Sequence, residues 1–282
     1  MPRQVLDVHP RLRIEPESLT TRLVTFLHDV VSLRYGYGKV ILGLSGGADS
    51  AVVAYLAARA FGSENVIALR LPYRDLGIRP LEHAELVIDA LGLPSETIDI
   101  AGIVDAYAEG QPGMDWHRRG NVQARARMIV LFDKMVEFRA LPIGTGNRSE
   151  ILFGYFTQHG DDAPQVNPIG DLYKSQVWQL AAYLAVPQEI IDKDPSAGLE
   201  PGQTDEGDFG LPYMTVDLVL SHLEGGFGDS EIRELGVSQE AIDEVRQRVL
   251  STHRKRVPTL VPQVQPATAD PTLFLSSLGE RK

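Results

Sequence analysis

Hydrophobic positions along the chain fall into two alternating kinds of segment. Residues 18–35 carry Leu19, Leu23, Phe26, Leu27, Val30 and Val31 at helical spacing and predict an amphipathic helix. Lys39-Val40-Ile41-Leu42-Gly43-Leu44 is a short apolar run ending in Ser45-Gly46-Gly47, the pattern of a buried strand that enters a tight turn. The Ala-rich stretch 51–61 predicts a helix, and Val66–Leu71 a second buried strand stopped by Pro72. A helix over 80–91, a strand over 96–100, a long helix over 121–139 and a short strand over 141–144 follow. Strands alternating with helices imply parallel crossovers, so the expected class is α/β, a doubly wound parallel sheet flanked by helices. In such sheets ligands sit beyond the carboxyl ends of the strands, at the switch point. Ser45–Ser50, Arg70–Tyr73 and Thr145–Glu150 fall at those ends.

From residue 173 the pattern is helical, with segments predicted at 173–185, 187–193, 215–224 and 238–252. Between them Ser196–Tyr213, rich in Gly, Pro and acids, predicts a long loop of the kind that closes over a site. Val257–Lys282 has four prolines and no period, which predicts an extended arm or a disordered tail. Residues 1–282 read as a single domain carrying that arm.

Composition narrows the classes. The 43% of hydrophobic residues in 282 is ordinary for a globular protein and argues against disorder. Lys plus Arg at 27 against Asp plus Glu at 38 leaves a net charge of −11, which opposes general nucleic-acid binding. The absence of Cys removes disulfides, zinc-thiolate sites, thiol nucleophiles and iron–sulfur clusters. No apolar run reaches the roughly 18 residues that span a bilayer, and Met1–Val8 lacks the apolar stretch of a secretory signal. The expectation is a cytoplasmic enzyme with local positive charge for a small anionic substrate and with no membrane or nucleic-acid partner.

The sharpest chemistry lies in Gly43-Leu44-Ser45-Gly46-Gly47-Ala48-Asp49-Ser50. Glycines let the backbone turn and let an oxyanion approach N–H groups, and the helix N-terminus adds partial positive charge. Ser45 and Ser50 can donate hydroxyl hydrogen bonds, and Asp49 at the rim can hold magnesium. The same residues spell Gly-x-Ser-x-Gly, so a serine hydrolase using Ser45 is a competing reading, as is a non-catalytic nucleotide-binding module. The hydrolase reading is weakened by position, because the motif follows the first strand, and by His222 and His253, which have no evident Asp partner. In the helix from Asn121, an arc of Met128, Ile129, Phe132, Met135 and Val136 predicts a buried face with Arg125 at its centre and Arg127 outside it. A buried Arg needs an anion, either a structural carboxylate or a ligand. Thr145 or Asn147 reads as the cap of a following helix. Glu150 could join Asp49 at the metal, with Asp161 a possible further ligand and Lys174 a possible phosphate partner.

Taken together, these segments resemble the NAD synthetases, within the wider group of N-type ATP pyrophosphatases and their adenine nucleotide alpha hydrolase-like, Rossmann-like fold. The resemblance rests on Ser45-Gly46-Gly47-x-Asp49-Ser50, Leu71-Pro72-Tyr73, Asn121–Met128, Gly144-Thr145-Gly146-Asn147, Glu150, Gly154-x-Phe156-Thr157, Pro195-Ser196-Ala197-x-Leu199, Asp205-Glu206 and His253-Arg254 in that order. It spans about residues 20–258. It implies an ammonia-dependent ligase that adenylates the nicotinate carboxylate of deamido-NAD with ATP and magnesium, then amidates it. It also implies that Gly43, Leu44, Ser45, Gly46, Gly47, Ala48, Asp49, Ser50, Thr145, Lys174 and Ser196 contact ATP, with Arg70 a weaker candidate. Asp49, Glu150 and Asp161 would hold magnesium, with Asp49, Lys174 and Asp161 central to catalysis. Arg125, Gln158, Gln165, His253 and Arg254 fall on deamido-NAD positions. Gln158 and Gln165 stand where many members carry Lys and Asp, and Arg254 where they carry Lys. The resemblance further implies a homodimer, and the missing thiol implies use of free ammonia or ammonia from a separate protein. Another ligase of the ATP pyrophosphatase group, such as a GMP synthetase-like enzyme, is the nearest alternative.

Overall fold

The apolar run after Lys39 forms β1 (Val40–Gly43), whose first three residues are buried. In the computed structural model, which describes residues 8–74, 78–200, 202–260 and 262, β1 lies inside a four-stranded sheet. The others are β2 (Val66–Arg70), β3 (Ser95–Thr97) and β4 (Leu141–Pro142), in spatial order β3-β2-β1-β4. Every pairing is parallel; Val40 stands opposite Val66 on one side and Leu141 on the other. Continuous Val/Ile/Leu runs suit strands covered on both faces. Pro142 can sit in β4 because β4 is the edge strand, where a missing N–H costs no ladder bond.

Helices cover both faces. α1 (Pro16–His28) starts with a proline at its first turn and runs into a π-helical turn over Asp29–Arg34. α2 (Ala48–Phe61) packs on one face with α1 and with α7 (Lys174–Tyr183). α5 (Trp116–Phe138) covers the other, above a smaller core of Ile41, Ile67, Leu69, Val104, Val130 and Leu131. α3 (Ile78–Leu91) and α8 (Gln188–Asp192) fall where periodicity places them, as do α10 (Tyr213–Glu224) and α12 (Gln239–Ser251).

The structure departs from the sequence expectation in four ways. Three short helices were not foreseen: α4 (Ala101–Glu109), α9 (Asp205–Phe209) and α11 (Asp229–Glu234), whereas α6 (Arg148–Phe153) is the helix expected after an Asn147 cap. Each of the three spans too few turns, or carries too few charged residues, for a period to show. α5 begins at Trp116, five residues before 121, because Asp115 accepts from Arg118 N at 2.8 Å and caps it. The half of Ser196–Tyr213 that includes α9 is not a free lid. Phe209 is buried, with ring centroids 5.0, 4.8 and 5.1 Å from Phe153, Tyr155 and Tyr213. Beyond its first residues the proline-rich arm 257–282 lies outside the described residues.

The fourth departure concerns α5, whose predicted apolar arc is reversed. Ile129 is 59% and Val136 76% exposed, and Arg125 is exposed beside them. The helix buries Gly120, Gln123, Ala124, Ala126, Val130 and Leu131 instead. Small side chains let α5 lie close to the sheet, a packing choice that a hydrophobic period does not encode. Arg127, expected outside, is the inward arginine: its Nε donates to Leu71 O at 3.1 Å. Burial pulls its pKa down to about 10, against the pull of Asp161, so it remains a cation at neutral pH.

Candidate active site

The chain enters β1, β2 and β3 in one direction and returns to place β4 on β1's other side, so the switch point lies between β1 and β4. Two loops meet there. After β1, Gly46 takes φ +71°, a left-handed conformation that glycine adopts without strain. Gly47 then N-caps α2 with no side chain closing the cap, which leaves first-turn N–H groups open to an anion. Ser50 Oγ donates to Gly47 O at 3.1 Å and accepts from Ser45 N at 3.2 Å, fixing the bend. Ser45 is exposed; its Oγ lies 3.1 Å from Ser50 Oγ and accepts from Gly47 N at 3.3 Å.

After β4, Asn147 N-caps α6 in a reciprocal capping box. Glu150 N donates to Asn147 Oδ1, and Asn147 N donates to Glu150 Oε2, each at 3.0 Å. Asn147 is wholly buried and also donates Nδ2 to Asp49 Oδ1 at 3.0 Å. Lys174, the first residue of α7, is 3% exposed and donates Nζ to the other oxygen of Asp49. A solvated surface lysine is thereby ruled out.

Charge inside this cluster is held in opposition. Burial, then the negative charge of Asp49, pushes Glu150 well above the usual carboxylate range. Burial works against the Lys174 ammonium, but Asp49, Glu150 and Asp205 outweigh it and hold its pKa above the ordinary value. Asp205, from α9, is 3% exposed and accepts from Tyr213 Oη at 3.0 Å; burial raises its pKa. Behind the cluster, wholly buried Asp217 accepts from Ser149 Oγ and, at 2.8 Å, from Ser175 N, while Ser149 Oγ accepts from Lys174 N at 2.9 Å. That relay sets α7 against α6 and so aims Lys174.

Other expected site residues fall into different groups. Arg125 donates Nε and Nη2 to Gln158 O at 3.2 and 3.1 Å, and Arg254 donates Nη1 to Gln158 Oε1 at 3.2 Å. His253 is exposed beside Arg254, while Gln165 is exposed elsewhere on the same connection. Thr145 is half-buried in the turn before Asn147; Ser196 is exposed and accepts from Gly198 N at 3.0 Å. Arg70 pairs with Glu85 of α3, so its charge is already answered by protein. Asp161 accepts from Thr157 N at 2.8 Å, and its charged neighbours are Asp162, Lys255 and Arg127, not Asp49 or Glu150. Among the described residues no three acidic or histidine side chains could together hold one ion.

Sequence reasoning named Asn147 only as a cap, and neither Lys193 nor Arg127 as a site residue. Lys193 follows α8 and donates Nζ to Gly46 O at 3.4 Å. No local pattern signals it, because its partner is 147 residues away. Lys255 and Arg256 proved to be anchors. Lys255 Nζ donates to Gly154 O and Phe156 O, each at 2.6 Å, and Arg256 Nη1 to Leu152 O at 2.7 Å.

No described histidine hydrogen-bonds to Ser45. His222 is buried, its Nδ1 2.7 Å from Leu218 O and its ring against His9 and Phe227. The Ser45 hydroxyl therefore lacks the base that a nucleophile elbow requires.

The parallel sheet, with an anion-receptive bend at its switch point, defines an α/β protein of the adenine nucleotide alpha hydrolase-like class. The NAD synthase family matches residues 19–259. The chain is 44% identical over 247 residues to the NH(3)-dependent NAD(+) synthetase of Chlorobaculum parvum, covering 87% of this chain and 89% of that protein. Among solved structures it is similar to the NMN synthetase from Francisella tularensis, with TM-score 0.79 and 34% identity over 89% of this chain and 100% of that one. It is likewise similar to the NH3-dependent NAD synthetase from Campylobacter jejuni in complex with nitrate, with TM-score 0.75 and 32% identity over 88% and 100%. The chain belongs to the NAD synthase family and is a ligase.

Proposed function

We propose that this enzyme forms NAD from deamido-NAD, ATP and ammonia. The reading rests on one observation above all: Asn147 and Lys174 both bond Asp49 of the Ser45–Ser50 bend, and Glu150 bonds Asn147 beside it. The nicotinate carboxylate attacks the α-phosphorus of ATP, and pyrophosphate departs into the bend. Ammonia then attacks the acyl-adenylate, and AMP leaves. Such chemistry asks little covalent work of the protein; positioning and charge stabilisation carry it. The N–H groups of the bend and the first turn of α2 receive the diphosphate, with Thr145 and Ser196 as further contacts of ATP. Lys174, held by Asp49, balances charge as the phosphoanhydride breaks.

Asp49 and Glu150 are hard oxygen donors, and burial, then the charge of Asp49, raises the Glu150 pKa, so a divalent cation suits them. Magnesium commonly uses one or two carboxylates plus substrate phosphates, and here it would neutralise phosphate charge. Asp161 is left out of this set, because it accepts from Thr157 N and its charged neighbours are Asp162, Lys255 and Arg127. Arg125, Gln158 and Arg254 form the edge that meets deamido-NAD, with His253 and Gln165 nearby. The exposed stripe of Ile129, Phe132 and Val136 beside Arg125 supports a homodimer that places the dinucleotide near the interface. No described helix is long and apolar enough to cross a membrane, and with ATP as co-substrate we assign the enzyme to the cytoplasm.

A pyrophosphate-release assay with ATP, magnesium and ammonium tests this reading. Deamido-NAD should support release, and xanthosine monophosphate should not. Nicotinic acid mononucleotide is the third arm, because a solved relative is an NMN synthetase. Faster turnover of the mononucleotide would replace the dinucleotide as substrate, and release with none of the three would overturn the proposal.

A further inference from the structure

We infer that Lys193 is a second cation of the diphosphate site and meets the end of the triphosphate remote from the reacting α-phosphorus. The inference rests on reading Ser45–Ser50 as the diphosphate receptor. Lys193 follows α8, far in sequence from the bend, yet its Nζ donates to Gly46 O at 3.4 Å. That contact is long and uses one of three ammonium hydrogens. The described residues give Lys193 no carboxylate partner. Burial and then the like charge of Lys174 hold its pKa below the ordinary lysine value.

The two lysines therefore differ. Lys174 is neutralised by Asp49, with Glu150 and Asp205 close behind. Lys193 is half-buried against the bend with a carbonyl alone. A partly desolvated ammonium answered by a carbonyl alone is unfavourable unless an anion joins it. A departing diphosphate is such an anion, and it enters a bend whose N–H groups already favour negative charge. In this arrangement Lys174 stands on the Asp49 side and Lys193 on the Gly46 side. Lys193 then acts on the leaving group, while the nicotinate end of the site does not meet it.

The test compares wild type, Lys193→Gln and Lys193→Arg by inhibition with inorganic pyrophosphate against ATP. Apparent constants for ATP and deamido-NAD and thermal midpoints are measured in parallel. Loss of a charge-assisted hydrogen bond predicts pyrophosphate inhibition weaker by about tenfold or more in Lys193→Gln. The ATP constant should rise, the deamido-NAD constant should stay within about twofold, and Lys193→Arg should recover most of the loss. A purely structural Lys193 would lower the midpoint and weaken both substrates alike, which overturns the proposal. Unchanged pyrophosphate inhibition in Lys193→Gln overturns it as well. A Ser50→Ala control separates the two readings. Inhibition lost in Ser50→Ala but kept in Lys193→Gln sinks only the role of Lys193. Absence of pyrophosphate inhibition in the wild type sinks the diphosphate bend and Lys193 with it.

Discussion

Asn147 donates its side-chain amide to Asp49 Oδ1 at 3.0 Å while its own carbonyl oxygen caps α6, so one buried residue joins the two loops of the switch point. An aspartate there would still cap α6, but it would set a third carboxylate against Asp49 and Glu150. Asn147→Asp is expected to keep the fold and lose more than about tenfold in turnover, read by steady-state kinetics beside a thermal melt. Turnover within twofold of wild type would remove Asn147 from the site.

Asp49→Asn should abolish most turnover and also weaken the fold. Lys174 is buried and draws its raised pKa from carboxylates, Asp49 foremost. Removing that partner should lower the Lys174 pKa and cost roughly 1–3 kcal/mol. Chemical denaturation measures the cost, and an unchanged midpoint would contradict the pairing.

Asp217 should give stability a pH dependence of definite sign. Burial pushes its pKa up to about 6 from the ordinary 3.8, against the donors Ser149 and Ser175. Between those values the folded chain binds more protons than the unfolded one, so stability falls as pH rises through that window. The difference corresponds to about 3 kcal/mol at most. Asp217→Asn should flatten the stability profile between pH 4 and 6.5 by about that amount, measured by denaturant titration at each pH. A profile parallel to wild type would sink the assignment.

Gly154 ends α6 at φ +62°, and a Cβ there would stand 2.4 Å from Thr252 Cβ. Gly154→Ala must strain the left-handed residue and push α12 away. The expected cost is about 2–4 kcal/mol, a fall in the thermal midpoint of roughly 5–15 °C. A midpoint within two degrees of wild type would show that the contact yields.

Arg125 lies on the exposed face of α5 and reaches Gln158 O through two nitrogens. Arg125→Ala is expected to raise the apparent constant for deamido-NAD by about tenfold with little change for ATP and little loss of stability. Equal effects on both substrates would assign Arg125 to the shape of the loop.

Much of this arrangement was legible along the chain. Strand runs at Val40 and Val66, the Ser-Gly-Gly bend and the order of motifs depend on neighbours in sequence, and local sterics decide them. The arc of Ile129, Phe132 and Val136 misled, because an apolar stripe looks the same whether it faces a core or solvent. Residue type and strand-end position also do not say that Asp161 lies against Thr157 N or that Arg70 pairs with Glu85.

The sequence by itself determined the class of sheet, the glycine bend after the first strand, and the absence of thiol chemistry. Tertiary structure alone decided that Lys174 is buried on Asp49, that Asn147 joins the two loops, that Arg127 and not Arg125 turns inward, and that Lys193 reaches Gly46. Turns and strands arise from contacts a few residues apart. The charge balance of a cleft arises between groups far apart in the chain, and only packing sets their separation and their access to water.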